Sequence, residues 1–286
     1  MAKRLFNVPI ALVSLIDDDR YWFKSRSEIS ENGSPKELSI SSNSIFEEDL
    51  LQIFDAAASP QFLDNPMVTG EPYIRFYAGQ PLMAANGLRL GRICIMDTKP
   101  RRLDSGELGL LRDLAALVER EIHTVDLATT DELTKIANRR GFEIQAQNAL
   151  DFCKRVERPA TMAFLDLNDF KMINDRFGHQ EGDHVLATFS SILINTLRRS
   201  DVIGRLGGDE FVVLLTNTTP NEAEILMSRF QSSIEAYNKE SGKSYELSYS
   251  VGQVAYDPEG HLTIDDLISE SDRAMYVDKR LKKSLI

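Results

Sequence analysis

The sequence has few cysteines and no long hydrophobic run. Its 286 residues include two cysteines, Cys94 and Cys153, which are too few for a disulfide scaffold or a thiolate metal site. We expect both to be small buried apolar residues in a reducing compartment. No apolar run approaches the roughly 18 to 20 residues that a membrane-spanning helix needs. These absences predict a cytoplasmic protein without a membrane partner.

Basic residues are outnumbered by acidic ones. The chain has 33 Lys and Arg against 44 Asp and Glu, which gives a net charge of −11. Because so acidic a chain repels the phosphate backbone of nucleic acids, we expect no nucleic-acid partner. The composition, 42% hydrophobic and 27% charged, is that of a globular protein, and the length favours two domains.

The first residues superficially resemble a secretory signal, because Lys3 and Arg4 precede an apolar stretch at residues 5–16. Asn7 and Pro9 interrupt this stretch, which continues into three aspartates instead of a small-residue cleavage site. We therefore interpret it as a buried strand. From there to about residue 97, short apolar runs alternate with turn residues. Asn86-Gly87 lies between two such runs and is typical of a two-residue hairpin, so an antiparallel sheet is expected.

Residues 104–130 have a different pattern, with no proline and with apolar residues spaced alternately three and four apart. These are Leu108, Leu111, Ala115, Val118, Ile122 and Val125, and a second stripe beside them is Leu110, Leu114 and Leu117. Such spacing is typical of an amphipathic helix and equally of a coiled-coil seam. Two interpretations remain open: one long helix that ends the first domain, or a parallel dimeric coiled coil.

From residue 131 onward, helical patterns alternate with strand patterns. Residues 160–167 form an apolar strand, and residues 201–215 predict a hairpin with Gly207-Gly208 at its tip. Thr219-Pro220 and Thr263 with Asp266 are typical helix starts. We predict helices over one face of a mostly antiparallel sheet, an α+β or α/β sandwich.

Three carboxylates follow or precede these strands. Asp166 ends one apolar strand, and Asp209 and Glu210 follow the Gly-Gly turn before another. If the strands are neighbours, the carboxylates meet at one end of the sheet and repel each other unless a cation lies among them. Oxygen ligands favour Mg²⁺, which also binds substrate phosphates, so a nucleoside triphosphate is the implied substrate. Candidate phosphate partners are Lys171, Lys279, Lys282 and Lys283. The alternative is an acidic turn and a solvated basic tail.

The sequence "GGDEF" at residues 207–211 is the signature of a known family. Further similar blocks are "DELTKIANRRGF" from Asp131, "FLDLNDFKMINDRFGHQEGD" from Phe164, "RLGGDEFVVLL" from Arg205 and "SDRAMYVDK" from Ser271. In these blocks the chain resembles the GGDEF-domain diguanylate cyclases over essentially all of residues 131–286. The resemblance implies a nucleotidyl-cyclase and polymerase-palm-like fold. It also implies condensation of two GTP into cyclic di-GMP with release of two pyrophosphates.

The resemblance also implies a role for individual residues. Asp166, Asp209 and the carbonyl of Leu167 match metal ligands for two Mg²⁺ per active site. Glu210 matches the position proposed to assist deprotonation of the attacking hydroxyl or to complete the metal site. Residues matching the GTP site are Asn174 and Asp183 for guanine, Lys171, Lys279 and Lys283 for phosphates, and Gly207 and Gly208 for close approach of the backbone. Departures are Asn168, where a second Asp is common, and Lys283, where an arginine is common, so we expect weaker triphosphate binding.

An RxxD motif, Arg198 to Asp201, precedes the signature. In the family this is the inhibitory site for the product, and Arg229 matches a second product-binding arginine. The alternative is a solvated helix end with an ion pair. The arginine fork is suited to both guanine and phosphate, so feedback inhibition by cyclic di-GMP is expected.

The N-terminal part resembles a bacterial GAF sensor domain in "VPIALVSLIDDDRYWFKSR", "DNPMVTGEPYIRFYAGQPL" and "LGRICIMDTKPR". We therefore expect three parts: a GAF-like domain at 1–103 with an unknown small-molecule ligand, a linker helix at 104–130 and a GGDEF catalytic domain at 131–286. The fold class is α+β, and catalysis is expected to need a homodimer. The alternatives are a silent GGDEF module that binds GTP or cyclic di-GMP, and a GAF ligand sensor with incidental cyclase activity.

Overall fold

The computed structural model describes residues 1–16, 20–25, 33–35, 50–84 and 86–284. The chain divides into two compact units, Met1–Val125 and Asp126–Ile286. Within the described ranges, no helix is long and apolar enough to cross a membrane. Both units are mixed α and β structures, as the predicted α+β class requires.

The first unit contains a six-stranded antiparallel sheet with the spatial order β3-β2-β1-β6-β5-β4. Its strands are β1 (Ile10–Ile16), β2 (Arg20–Ser25), β3 (Gly33–Pro35), β4 (Leu51–Ile53), β5 (Phe76–Met83) and β6 (Arg89–Asp97). Its helices are α1 (Ala2–Phe6), α2 (Pro66–Thr69) and most of α3 (Ser105–Thr129), with a 3-10 turn at Ala56–Ala58. Phe76 and Tyr77 are fully buried in its core.

Two local predictions for this unit need correction. A strand was expected over residues 5–16, but α1 occupies its beginning and Asn7, with φ 49°, ends the helix before β1 starts. The hairpin between β5 and β6 is present at the expected place. Its turn is longer than two residues, since the N–H of Ala84 donates to the carbonyl of Leu88 at 2.7 Å with Asn86 and Gly87 inside the turn.

Burial of residues in the first half of α3 bears on the two interpretations of this helix. Leu111, Leu114 and Ala115 are buried in the core of the first unit, and Leu108 and Val118 pack against that core. Leu111 and Ala115 are therefore enclosed in their own domain, which favours the interpretation of this half as a helix that ends the first domain. Farther along, Val125 is 52% exposed and Leu127 is 51% exposed.

The second unit contains a five-stranded sheet with the order β11-β8-β10-β9-β7. Its strands are β7 (Ala137–Asn138), β8 (Ala160–Leu167), β9 (Val202–Gly207), β10 (Glu210–Thr216) and β11 (Tyr249–Ala255). Its helices are α4 (Arg139–Arg155), α5 (Phe170–Phe177), α6 (His179–Thr196), α7 (Pro220–Ser241) and α8 (Ile264–Ser284). All neighbouring strands are antiparallel except β7 and β9, which are parallel.

Helices cover both faces of this sheet, so the prediction of helices over one face is wrong. On one face Phe211 packs with Phe189 of α6 and Phe230 of α7. On the other face Val212 belongs to a cluster with Phe142 of α4. Because β10 is buried on both sides, its polar first residue lies at the edge of the core, where the site described below begins.

Candidate active site

The turn between β9 and β10 places the signature residues at one end of the sheet. Gly208 has φ 50°, a left-handed conformation that a glycine adopts without strain. The main chain of the turn is also tied to the neighbouring strand, since the N–H of Leu167 donates to the carbonyl of Asp209 at 3.2 Å. The hairpin predicted from the Gly-Gly pair is confirmed.

The structure brings the three candidate carboxylates together at this end of the sheet. Glu210 lies directly opposite Asp166 in the antiparallel register of β10 and β8. Asp166 is buried and Asp209 is half-buried. Burial, and then the charge of Asp166, raises the pKa of Asp209. Burial also raises the pKa of Glu210, as do the charges of Asp272, Asp166 and Asp209.

A lysine from α8 approaches this acidic group. The Lys279 Nζ lies 2.5 Å from Asp166 Oδ1, and both side chains are largely buried. Lys279 was predicted as a phosphate partner, and in this structure its ammonium compensates the charge of Asp166. The residues are 113 positions apart in sequence, so no local pattern could have predicted the pair.

The carboxylates fit a divalent cation through the chemistry of their donor atoms. The described residues contain no group of three or more His, Cys, Asp or Glu side chains placed to hold a metal. The expected ligand set is smaller, two carboxylates and one carbonyl. Leu167 can contribute only its backbone carbonyl, because its side chain has no donor atom and is buried in the core. Mutual repulsion between Asp166 and Asp209 is the electrostatic condition that a cation relieves.

The candidate guanine-binding residues lie on the two helices that follow β8. Asn174 is in α5 and Asp183 is in the first turns of α6. A Cβ added to Gly182 would lie 1.9 Å from Asn174 Oδ1, so the glycine allows the Asn174 amide to rest against α6 beside Asp183. Lys171 is exposed at the start of α5. Lys283 lies in the last turn of α8, and its side chain is outside the described part.

Comparison with known proteins agrees with this geometry. The family model for the diguanylate cyclase GGDEF domain matches residues 128–284, which is more than half of the chain. The chain belongs to the GGDEF family. A GAF domain model matches residues 1–122, so a GAF domain precedes the GGDEF domain.

The GGDEF protein has several curated relatives. It is 34% identical over 165 residues to the probable diguanylate cyclase DgcC of Escherichia coli, a match that covers 57% of this chain and 44% of the relative. It is 39% identical over 140 residues to a cyclic di-GMP phosphodiesterase of Pseudomonas aeruginosa, covering 48% of this chain and 24% of the relative. The chain therefore spans less than half the length of these curated relatives.

A solved structure supports the fold of this GGDEF protein. The coiled coil and GGDEF domain of DgcB from Caulobacter crescentus, crystallised with c-di-GMP, aligns with a TM-score of 0.53 and 25% identity. The alignment covers 62% of this chain and 95% of that one.

Arg205 is a site residue that the sequence did not reveal. Its guanidinium donates to both carboxylate oxygens of Asp131 at 3.1 Å and to the carbonyl of Gly208 at 3.0 and 2.8 Å. Arg205 thus connects the beginning of the GGDEF domain to the signature turn. Its place in a hairpin strand two residues before the Gly-Gly pair is the one signal that the sequence contains.

Some residues of the predicted inhibitory site make contacts that stabilise the fold. Asp201 is buried, and its carboxylate accepts hydrogen bonds from the N–H of Arg198 at 3.0 Å and the N–H of Thr216 at 3.1 Å. The Arg229 guanidinium donates to the carbonyl of Thr196. The residue that Arg229 contacts, Thr196, is two positions before exposed Arg198 in the sequence. Asp201 fixes the backbone between α6 and β9.

Proposed function

We propose that this protein is a diguanylate cyclase that condenses two GTP into cyclic di-GMP with release of two pyrophosphates. The observation that carries the proposal is the cross-strand register that places Glu210 opposite Asp166, next to Asp209 in the glycine turn. The name of one reported relative, the probable diguanylate cyclase DgcC, supports the same chemistry. Regulation by the GAF domain through a small-molecule ligand, and feedback by cyclic di-GMP at Arg198 and Arg229, belong to the same proposal.

The residues have distinct tasks in this reaction. Asp166, Asp209 and the Leu167 carbonyl would hold Mg²⁺, two ions per site. Bound metal supplies charge stabilisation at the α-phosphate and lowers the pKa of the attacking hydroxyl. Glu210, whose pKa is raised by burial and neighbouring carboxylates, is placed to accept the proton of the ribose 3′-hydroxyl. The oxygen then bonds to the α-phosphorus of the second GTP while the bond to pyrophosphate breaks.

The remaining residues bind and orient the nucleotide. Asp183 would accept hydrogen bonds from guanine N1–H and the exocyclic amine, with Asn174 pairing at the same edge. An acidic side chain at this position rejects adenine, whose N1 is an acceptor. Lys171 and Lys283 would bind the phosphates. When substrate and metal neutralise the carboxylates, Lys279 would leave Asp166 and bind the triphosphate.

One observation favours a second candidate, a GGDEF module that binds GTP or cyclic di-GMP without turnover. Lys279 neutralises Asp166. A lysine that stayed there would oppose metal binding. Retention of Asp166, Asp209, Glu210 and Lys171 favours the enzyme.

Incubation with GTP and Mg²⁺, followed by mass analysis of the product, separates the two candidates. The enzyme forms a cyclic dinucleotide and pyrophosphate in a one-to-two ratio. Asp209→Asn should reduce the rate about a hundredfold or more, as loss of one charge-stabilising contact typically does. The matched control is Asp265→Asn, an exposed aspartate at the start of α8. Equal rates in Asp209→Asn and the control would contradict the assignment of Asp209. If the wild type leaves GTP unchanged, the second candidate, a module that binds nucleotide without turnover, is favoured.

A further inference from the structure

A loop of the GGDEF domain contacts a carboxylate of α6 that has no role in the proposed reaction. The loop at residues 242–248 joins α7 to β11. Its Lys243 Nζ lies 2.8 Å from Glu181 Oε1, and the Tyr245 hydroxyl donates to the same oxygen. Glu181 lies in the first turn of α6, two residues before Asp183.

The first turn of α6 begins without a side-chain cap. Its N-cap residue is Gly178, which has φ 90° and provides no side-chain cap. The N–H groups of Glu181 and Gly182 donate to the Gly178 carbonyl at 3.1 and 3.3 Å, and a first turn without a side-chain cap frays more easily than a capped one. Asp183 is exposed, so its position depends on the order of this turn. The contacts of Glu181 with Lys243 and Tyr245 connect this turn to a neighbouring segment.

The 242–248 loop is itself firmly anchored. The Asn238 side chain in α7 donates to the carbonyl of Leu247 and accepts from its N–H, both at 2.8 Å. The Tyr245 ring also packs on Phe177 of α5, with ring centroids 5.3 Å apart. Tyr245 therefore contacts both helices that carry the candidate guanine-binding residues.

The same segment continues to the metal end of the site. The N–H of Asn168 donates to the Ser248 carbonyl at 2.9 Å, and the Ser250 hydroxyl donates to Asn168 Oδ1 at 2.9 Å. Asn168 is two residues after Asp166. One stretch of chain thus connects the base-binding helices to the strand that carries the metal carboxylate.

We propose that Glu181, held by Lys243 and Tyr245, is a positioning residue that sets the guanine selectivity of the site by fixing Asp183. This inference rests on the proposed function, because it takes Asp183 as the group that binds the guanine edge. Glu181 does not contact the substrate in this account. Its carboxylate acts only through the placement of the first turns of α6.

The charge of the carboxylate is maintained over the neutral range. The hydrogen bond from Lys243 and that from Tyr245 lower the pKa of Glu181, and the partner Lys243 has a raised pKa. Removing the charge of Lys243 or of Glu181 breaks the same ion pair. The two residues can therefore be substituted separately to test it.

The test compares GTP with inosine triphosphate, which lacks the exocyclic amine of guanine. In Glu181→Gln, we expect the KM for GTP to rise roughly threefold to tenfold, within the range of one partly exposed charge-assisted contact, with kcat changed less than about twofold. The preference for GTP over inosine triphosphate should fall by a similar factor. Tyr245→Phe should show a smaller change of the same kind, and Lys243→Arg should restore what Lys243→Met loses.

The control is Glu270→Gln, which changes the carboxylate that contacts His261 Nε2 at 3.1 Å in the same domain. A merely structural role for Glu181 would lower the melting temperature and kcat together and leave the nucleotide preference unchanged, and that result would overturn the inference. Unchanged KM and preference in both Glu181→Gln and Tyr245→Phe would overturn it equally.

An equilibrium measurement distinguishes this failure from failure of the proposed function. The probe is 3′-deoxy-GTP, which lacks the attacking hydroxyl and cannot react, titrated calorimetrically in Mg²⁺ against 3′-deoxyinosine triphosphate. Weaker binding and lost preference in Glu181→Gln support the inference even if the wild type forms no cyclic dinucleotide. Equal binding by wild type and variant overturns it.

Discussion

At the residue scale, the site combines acidic side chains that destabilise each other with a few cations that compensate them. Asp166, Asp209 and Glu210 are held close by the register of two buried strands, and burial, followed by the charges of neighbouring carboxylates, raises the pKa of Asp209 and Glu210. Lys279 offsets part of this charge. The carboxylates were predictable from the Gly-Gly turn and the apolar strands. The Lys279 and Arg205 contacts were not, because they join residues 113 and 74 positions apart.

Asp131 gives a pH-dependent prediction at this scale. Burial raises its pKa, but hydrogen bonds from Thr134 and the guanidinium of Arg205 outweigh burial, so the pKa is lowered. A carboxyl with a lowered pKa stabilises the fold above its unfolded-state pKa and loses this effect as pH falls through the folded value. Asp131→Asn should therefore lower the free energy of unfolding at pH 7 by about 1 to 2 kcal/mol, discounted for partial exposure.

The difference should begin to shrink near about pH 4, the ordinary pKa of aspartate, where the unfolded chain takes up the proton, and it should be lost as pH falls through the lower folded pKa of Asp131. Urea unfolding followed by circular dichroism at pH 7 and at pH 3.5 measures it. An equal difference at both pH values would show that the charge of Asp131 does not contribute.

Arg198 gives a prediction about regulation. Arg198 is exposed and follows two residues after Thr196, whose carbonyl accepts a hydrogen bond from Arg229, and the backbone N–H of Arg198 donates to Asp201. Arg198→Ala keeps that backbone bond and removes the fork, so turnover should continue at cyclic di-GMP concentrations that stop the wild type. The control is Arg155→Ala, at the end of α4. Inhibition curves that coincide for wild type and Arg198→Ala would place the inhibitory site elsewhere.

At the element scale, α3 shows how one sequence pattern can serve two structures. Apolar residues spaced three and four apart fit a coiled-coil seam and also a helix that packs on its own domain. The sequence could not decide between them, because periodicity does not reveal what covers a face. Burial of Leu111 and Ala115 favours a helix that packs on its own domain for the first half. The same limit explains why helices on both faces of the second sheet were not predicted.

The two halves of α3 should respond differently to substitution. Leu111 is fully buried, so Leu111→Ala should destabilise the first domain by about 2 to 5 kcal/mol. Val125 is 52% exposed, so Val125→Glu should leave stability nearly unchanged and depress cyclase activity if this half pairs two chains. Thermal unfolding and initial rates measure the contrast. Wild-type activity of Val125→Glu at every protein concentration would show that this half of α3 is not part of the proposed dimer interface.

At the scale of the whole molecule, the proposed reaction needs two sites. Each GGDEF domain offers one set of carboxylates and one candidate guanine-binding pair, whereas the product joins two nucleotides symmetrically. A single site cannot present a second 3′-hydroxyl in line with its own α-phosphate, so two sites have to face each other about a two-fold axis. The GAF domain would then regulate the reaction by changing how often two catalytic domains meet.

The most direct test of this account is the specific activity with GTP and Mg²⁺ over a dilution series, with the oligomeric state measured by light scattering under the same conditions. The two-site mechanism predicts formation of cyclic di-GMP at a rate per chain that falls as dimers dissociate. Val125→Glu should shift this fall to higher protein concentration. A confirmed monomer that forms cyclic di-GMP at an unchanged rate per chain on dilution would contradict the two-site mechanism.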